Sequence, residues 1–177
     1  MGGADSARGM ILHCSQKLAA KLAGVSAVPL EESSPLGSWH GHLLMLDRHQ
    51  CLMFCHDATC YVLFLPGVRK EQLVELGARV FRPLYLGTLA RLGCGEAQLR
   101  KVELALGPIR FDTATDRSVQ GSMRVAWQAV EAWAMGAANV MDLDAVAVSC
   151  TLNGRPATVH GRLIWPDKAM REAVSAL

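Results

Sequence analysis

Residues 39–67, WHGHLLMLDRHQCLMFCHDATCYVLFLPG, decide the fold. Three apolar runs, at 39–47, 50–56 and 60–65, are separated by DRHQ and HDAT, both rich in turn-compatible residues. They read as an antiparallel meander that Pro66-Gly67 closes. The middle run is apolar at nearly every position. It is expected to be a central strand covered on both faces.

Before this block, MILHC at 10–14 reads as a short strand. Ser15 can then cap a helix, QKLAAKLAG, that Gly24 ends. After it, Leu73, Leu76, Val80 and Leu84 recur at helical steps, followed by Tyr85, Leu89 and Leu92. The apolar face shifts by one residue between the two sets, and Pro83 lies at the shift, so a kinked or split helix is predicted there. A further helix spans Glu96 to Leu106, and IRFDTAT at 109–115 is a strand candidate. The long face of Val119, Met123, Ala126, Trp127, Val130, Trp133 and Ala134 predicts an amphipathic helix that Gly136 ends. Two runs meet across Asn153-Gly154, a strong hairpin signal, and a last helix follows Pro166 from Asp167 to Ala176. The expected class is α+β: an antiparallel sheet built on a three-stranded meander, with helices packed on it. One domain is expected over 10–177, after a disordered extension at 1–9.

The chain has 177 residues, 51% of them hydrophobic, which is ample for a core of this kind. Its net charge is only +2, and the basic residues gathered between Arg69 and Arg110 read as solvated helix surface. No dense basic face advertises nucleic acid. No apolar run reaches the roughly 18 residues of a membrane span, and MGGADSARG lacks the features of a secretory signal. The expected location is cytoplasmic. The six cysteines lie mostly in apolar runs and are expected to be reduced, buried and inert.

His40, His42, His49, Cys51, Cys55, His56 and Cys60 fall close together, as metal ligands would. No CxxC pair is present, however. With a turn centred on Arg48-His49, His42 would face Cys55 among apolar neighbours. A core with a few soft residues is the preferred reading, with no metal. His13-Cys14 and Cys55-His56 are neighbours that a strand would point to opposite faces, so neither is a nucleophile–base pair. No P-loop, GxGxxG or GxSxG is present, and no cofactor is implied.

TATDRSVQGSM, 113–123, opens the long helix. Backbone N–H groups, the Arg117 fork, the Ser118 and Ser122 hydroxyls and the flexible Gly121 would together suit an anion. The plainer alternative is a cap by Thr115 or Asp116.

MILHCSQKLAAKL, LGSWHGHLLMLDRHQCLMF, LPGVRKEQL, TATDRSVQGSM and LNGRPATVHGRLIWPDKAM occur in that order. Together they resemble an uncharacterised bacterial family known only as a domain of unknown function, from Met10 onward. The resemblance directs attention to His13, Cys14, Trp39, His40, Asp47, Arg48, Cys51 and Pro66-Gly67. It also marks Arg117, Ser118, Gly121, Ser122, Met123, Asn153 and Pro156. The chain departs at His49, where that family tends to carry a basic residue, and at Cys55-His56, where it tends to have Thr-Asn. It departs again at Arg124-Val125, where Asn-Asp is usual. The resemblance implies no activity, but it raises the anion reading of Arg117 and Ser118 to parity with the cap.

Two functions follow. The first is a non-enzymatic binding module, its partner a protein, a second copy, or an anion at Arg117. The second is a metal-independent phosphodiesterase or ribonuclease-like enzyme using His13, His40, Arg48 and Arg117. It requires those four side chains to converge on one cleft. Nucleic acid is the less supported partner, and no membrane is expected.

Overall fold

The computed structural model describes residues 9–177, so all but Gly9 of the expected N-terminal extension lies outside the described residues. The meander is present as β2 (Trp39–Leu46), β3 (His49–His56) and β4 (Val62–Leu65). Two strands complete its sheet: β1 (Ile11–Cys14) and β5 (Arg110–Asp112), in the order β4-β3-β2-β1-β5. The sheet is mixed rather than antiparallel, because β1 runs parallel to both β2 and β5. Parallel neighbours need long crossovers. Here one carries α1 (Gln16–Ala19) and a loop. The other carries α2 (Lys70–Val74), a π-helical turn (Gly77–Phe81), α3 (Arg82–Arg91) and α4 (Glu96–Leu106). The break falls at Glu75, earlier than the expected Pro83; Pro83 stands in the first turn of α3, where π-helical winding gives way to α-helical.

The β2–β3 turn centres on Asp47-Arg48, one residue earlier than expected. Both residues take left-handed φ, +47° and +65°, the backbone a two-residue hairpin turn requires. The register therefore sets His40, not His42, opposite Cys55.

Helices cover both faces of the sheet. Leu12, Trp39, Leu52, Phe54 and Leu63 pack under α2, α3, α4 and α7 (Pro166–Ser175). Trp39 sits edge-on to Phe81 and Tyr85, each at 5.0 Å between ring centres. On the other face Cys51, Met53, Cys55, Val62 and Phe64 meet Val119, Met123 and Val130 of α5 (Arg117–Ala134). The middle strand β3 is thus covered on both faces, as its unbroken apolar run predicts.

Asn153-Gly154 does not turn a hairpin. Ala145–Asn153 form α6, capped by the Asp144 carboxylate on Ala147 N–H at 2.8 Å, with Gly154 at its end. Tertiary contacts overrule the local hairpin signal. Asn153 accepts from Val62 N–H at 2.6 Å and donates to Val62 C=O at 2.8 Å, and the Ser149 hydroxyl accepts from Phe64 N–H at 2.9 Å. Side chains of α6 thus complete the free edge of β4 as a further strand would. The hairpin lies later, as β6 (Ala157–Val159) and β7 (Arg162–Ile164) around His160-Gly161, both left-handed. Among the described residues no helix is long and apolar enough to cross a membrane.

Candidate functional site

Directly opposed residues on neighbouring strands project to the same face. The registers place Asp112, His13, His40 and Cys55 in one transverse row across β5, β1, β2 and β3. The rings of His13 and His40 stand 4.9 Å apart. Asp112 is fully buried, and its carboxylate accepts from Leu30 N–H at 2.8 Å and Ala114 N–H at 3.1 Å. Its remaining interaction is with His13 Nδ1 at 2.5 Å. A buried carboxylate requires this saturation.

Asp57, in the turn after β3, joins the two histidines. It accepts from His40 Nδ1 at 2.7 Å and from the Ser38 hydroxyl at 2.7 Å, and lies 3.7 Å from His13 Nε2. Burial pushes its carboxyl up, but the bonds from His40 and Ser38, with His13 nearby, outweigh it and hold it below its ordinary value. His40 Nε2 accepts from Asp116 N–H at 3.0 Å. A backbone amide can only donate, so His40 carries its proton on Nδ1. His13 Nε2 has no hydrogen-bond partner among the described residues, and the His13 side chain is 13% exposed. It is the nitrogen of this row placed to exchange a proton.

Asp116 faces two ways. While its N–H meets His40, its carboxylate caps α5 on Ser118 N–H (2.8 Å) and Val119 N–H (3.2 Å) and meets His160 Nε2 at 3.0 Å. The first free amides of the helix are therefore occupied by a carboxylate. The Ser118 hydroxyl accepts from His160 N–H at 2.6 Å, and the Ser122 hydroxyl donates to Thr158 C=O at 2.7 Å. Both serines tie α5 to the β6–β7 hairpin.

Beyond them opens a cleft of about 820 Å³ between α5 and the α6–β6 segment. Arg117, Ser118, Gly121 and Ser122 all line it, together with Arg155, Cys60 and apolar residues that include Val125, Ala129, Trp133 and Leu152. Among the described residues no acidic side chain lines it. Neither Arg117 nor Arg155 has a side-chain hydrogen bond or an ion pair among the described residues.

The other positions singled out in the sequence lie elsewhere. Arg48 is in the hairpin turn just past Leu46, and Leu46 is six residues along β2 from His40, or roughly 20 Å at strand rise. The structure brings His13 and His40 together and leaves Arg48 at the far end. Cys14 points to the opposite face from His13, its thiol pushed up to about 12 by burial and then by the Asp112 charge. His56 likewise turns away from Cys55, packs tilted against Trp39 at 5.0 Å between ring centres and bonds Thr59 and the Leu36 carbonyl. Pro156 lines the cleft and Asn153 seals β4. Among the described residues no three His, Cys, Asp or Glu side chains are grouped to hold a metal ion.

Asp57, Asp112, His160, Arg155 and Cys60 were not singled out for these roles. Asp57 falls in a turn and Asp112 in a strand candidate, and nothing local marks a carboxylate that receives a histidine from another strand.

The profile of a family described as a domain of unknown function (DUF6933) matches residues 11–169, and the chain belongs to that family. No curated protein and no solved structure matches it.

Proposed function

We propose that this DUF6933 chain is a non-enzymatic binding module whose α5–α6 cleft takes a ligand with an anionic group on an apolar body. One observation supports it above all: among the described residues, the cleft is lined by two arginines, neither of them paired, and by no acid. A guanidinium beside apolar walls is a ready partner for carboxylate or phosphate. The rest of the ligand would lie against Val125, Ala129, Trp133 and Leu152. The arginine forks hold the anion in this reading, because the Asp116 carboxylate already occupies the end of α5.

The test is a titration with decyl phosphate below its micelle concentration, inorganic phosphate, and a short single-stranded RNA. Tryptophan fluorescence reports binding, since Trp133 lines the cleft. Decyl phosphate is expected to saturate wild type and to bind about tenfold more weakly to Arg117→Ala or Arg155→Ala. Inorganic phosphate should bind less well than decyl phosphate. Absence of saturable binding by wild type to any of the three overturns the reading.

A second reading, phosphodiester cleavage, is favoured by one observation: His13 is oriented by Asp112 and keeps Nε2 free beside Asp57. It must work without Arg48. Cleavage of the same RNA by wild type and not by His13→Ala would support it, and intact RNA after wild-type incubation would reject it.

A further inference from the structure

Both outer strands of the sheet are closed by other parts of the chain. Asn153 and Ser149 bond the edge of β4. On β5, Val25 bridges Phe111, and Ser26 N–H donates to the Phe111 carbonyl at 2.8 Å. Such closure keeps a sheet from pairing with other chains. The inner strand β2 escapes it: β1 pairs with β2 only as far as Gly41, and β2 runs on to Leu46.

Register fixes which groups this leaves open. Across the two-residue turn, Leu46 and His49 form a hydrogen-bonded pair, and such pairs alternate along β2 and β3. His42 and Leu44 therefore turn N–H and C=O toward β3, and Leu43 and Met45 turn theirs the other way. Gly41 has the same sense, its carbonyl accepting from Ser15 N–H at 2.9 Å on the β1 side. Among the described residues nothing bonds the outward N–H or C=O of Leu43 or Met45. Leu43 buries its side chain in the core cluster that holds Leu18, while Met45 is 56% exposed.

Beside this edge, between β2 and α5, lies a second cavity of about 310 Å³, lined by His42, Leu44, Gln120, Met123, Arg124 and Trp127. Further up the same face, His13 of β1 stands opposite His40. No strand residue stands opposite His42 or Leu44 on that side among the described residues, and the cavity lies where its side chain would be. Among the described residues Arg124 has no hydrogen bond or ion pair, and no acid lines the cavity. Burial, and then His40, holds His42 below its ordinary 6.5, so at pH 7 the charge there is that of Arg124. Lys17 of α1 and Arg48 of the turn, both exposed, add positive charge toward the two ends of the overhang.

We propose that the overhang of β2 receives an extended acidic segment of a partner protein, which adds as a strand in line with β1. Its backbone bonds the outward groups of Leu43 and Met45, and its residues opposite His42 and Leu44 place a carboxylate beside Arg124. This surface lies on the other flank of α5 from the α5–α6 cleft, so either reading can fail alone.

The isotope-labelled full chain is titrated by NMR with the peptide Thr-Glu-Val-Glu-Val-Thr and with its counterpart carrying lysine for glutamate. The Leu43 and Met45 amides are expected to shift with the acidic peptide, saturating by about 1 mM, and the lysine peptide to bind at least about tenfold more weakly. Met45→Pro removes a donor that the ladder to β3 does not use, so the hairpin tolerates it and the shifts should vanish. Arg124→Glu, at an exposed position, should reverse the preference between the peptides, and it carries the test if the proline variant does not fold. Arg117→Ala should leave the titration unchanged. The proposal is overturned by the absence of saturable shifts, by equal binding of the two peptides, or by shifts confined to the α5–α6 cleft. Concentration-dependent protection of the Met45 amide without peptide would assign the edge to a second copy and overturn it as well.

Discussion

Asp116 separates two regions with opposite polar economies. On one side, the row of Asp112, His13, Asp57 and His40 is closed: all but one of its hydrogen-bonding atoms find partners within the fold. On the other, Arg117 and Arg155 line open space with none. Desolvated charge must be paired to persist in a fold, whereas charge at a cleft wall is free to pair with something else. Substitution in the row should therefore act on stability, and substitution in the cleft on binding.

The most severe way to break this contrast is Asp112→Ala. It leaves Leu30 N–H, Ala114 N–H and the His13 ring without their acceptor in a fully buried place. A loss of about 3 kcal/mol is expected, read from the midpoint of urea unfolding. A change below 1 kcal/mol would mean that the row is not a closed unit.

Acid should loosen the buried polar groups of the fold in two stages. Burial holds His56 below its ordinary 6.5, against the opposing pull of the Leu36 carbonyl and nearby acids. Its stabilising contribution is complete above pH 6.5 and is lost as pH falls through its lower folded value. Asp57, held below 3.8, contributes fully above that pH and loses its share as pH falls through its folded value. Urea melts at descending pH should show both losses. His56→Asn should flatten the first, and an unchanged slope in that variant would assign the loss to another group.

Gly121→Ala sharpens the contrast from the other side. Gly121 is inside α5, and an added Cβ would meet nothing within 4 Å. Removing a helical glycine should stabilise by roughly 0.5–1 kcal/mol, while the methyl narrows the cleft and weakens decyl phosphate binding. Higher stability with unaltered affinity would show that the ligand does not approach this turn. The smallest effect on folding belongs to Arg117→Ala and Arg155→Ala, each expected within about 0.5 kcal/mol of wild type. A larger drop in melting would show that the guanidinium already has work in the fold.

Hydrophobic period is local, and the elements that depend on it were legible: the meander and the long face of α5. The α6 segment was not, because VAVSCTL suits either period and the arbiter, Val62, is 91 residues from Asn153. The site divides likewise. Arg117, Ser118, Gly121 and Ser122 stand out within five or six residues of chain and share one cleft. His13 and His40 could be picked out singly, but their joint carboxylates could not. That required β1 to lie parallel between β2 and β5, which a meander with simple antiparallel additions does not suggest. Arg48 was grouped with the histidines although it lies at the other end of the same strand.

The place of β1 in the sheet has a consequence in time. Its partner on one side is β2, and on the other β5, whose Asp112 lies 99 residues after His13. At synthesis rates of roughly 5–20 residues per second, that is about 5–20 s in which a nascent chain holds β1 with one edge unpaired. Asp112 arrives last and both closes the sheet and fixes the His13 ring. The complete histidine row is thus absent from every nascent chain that ends before β5: such a chain would own the meander and the His40–Asp57 pair but not the carboxylate that orients His13.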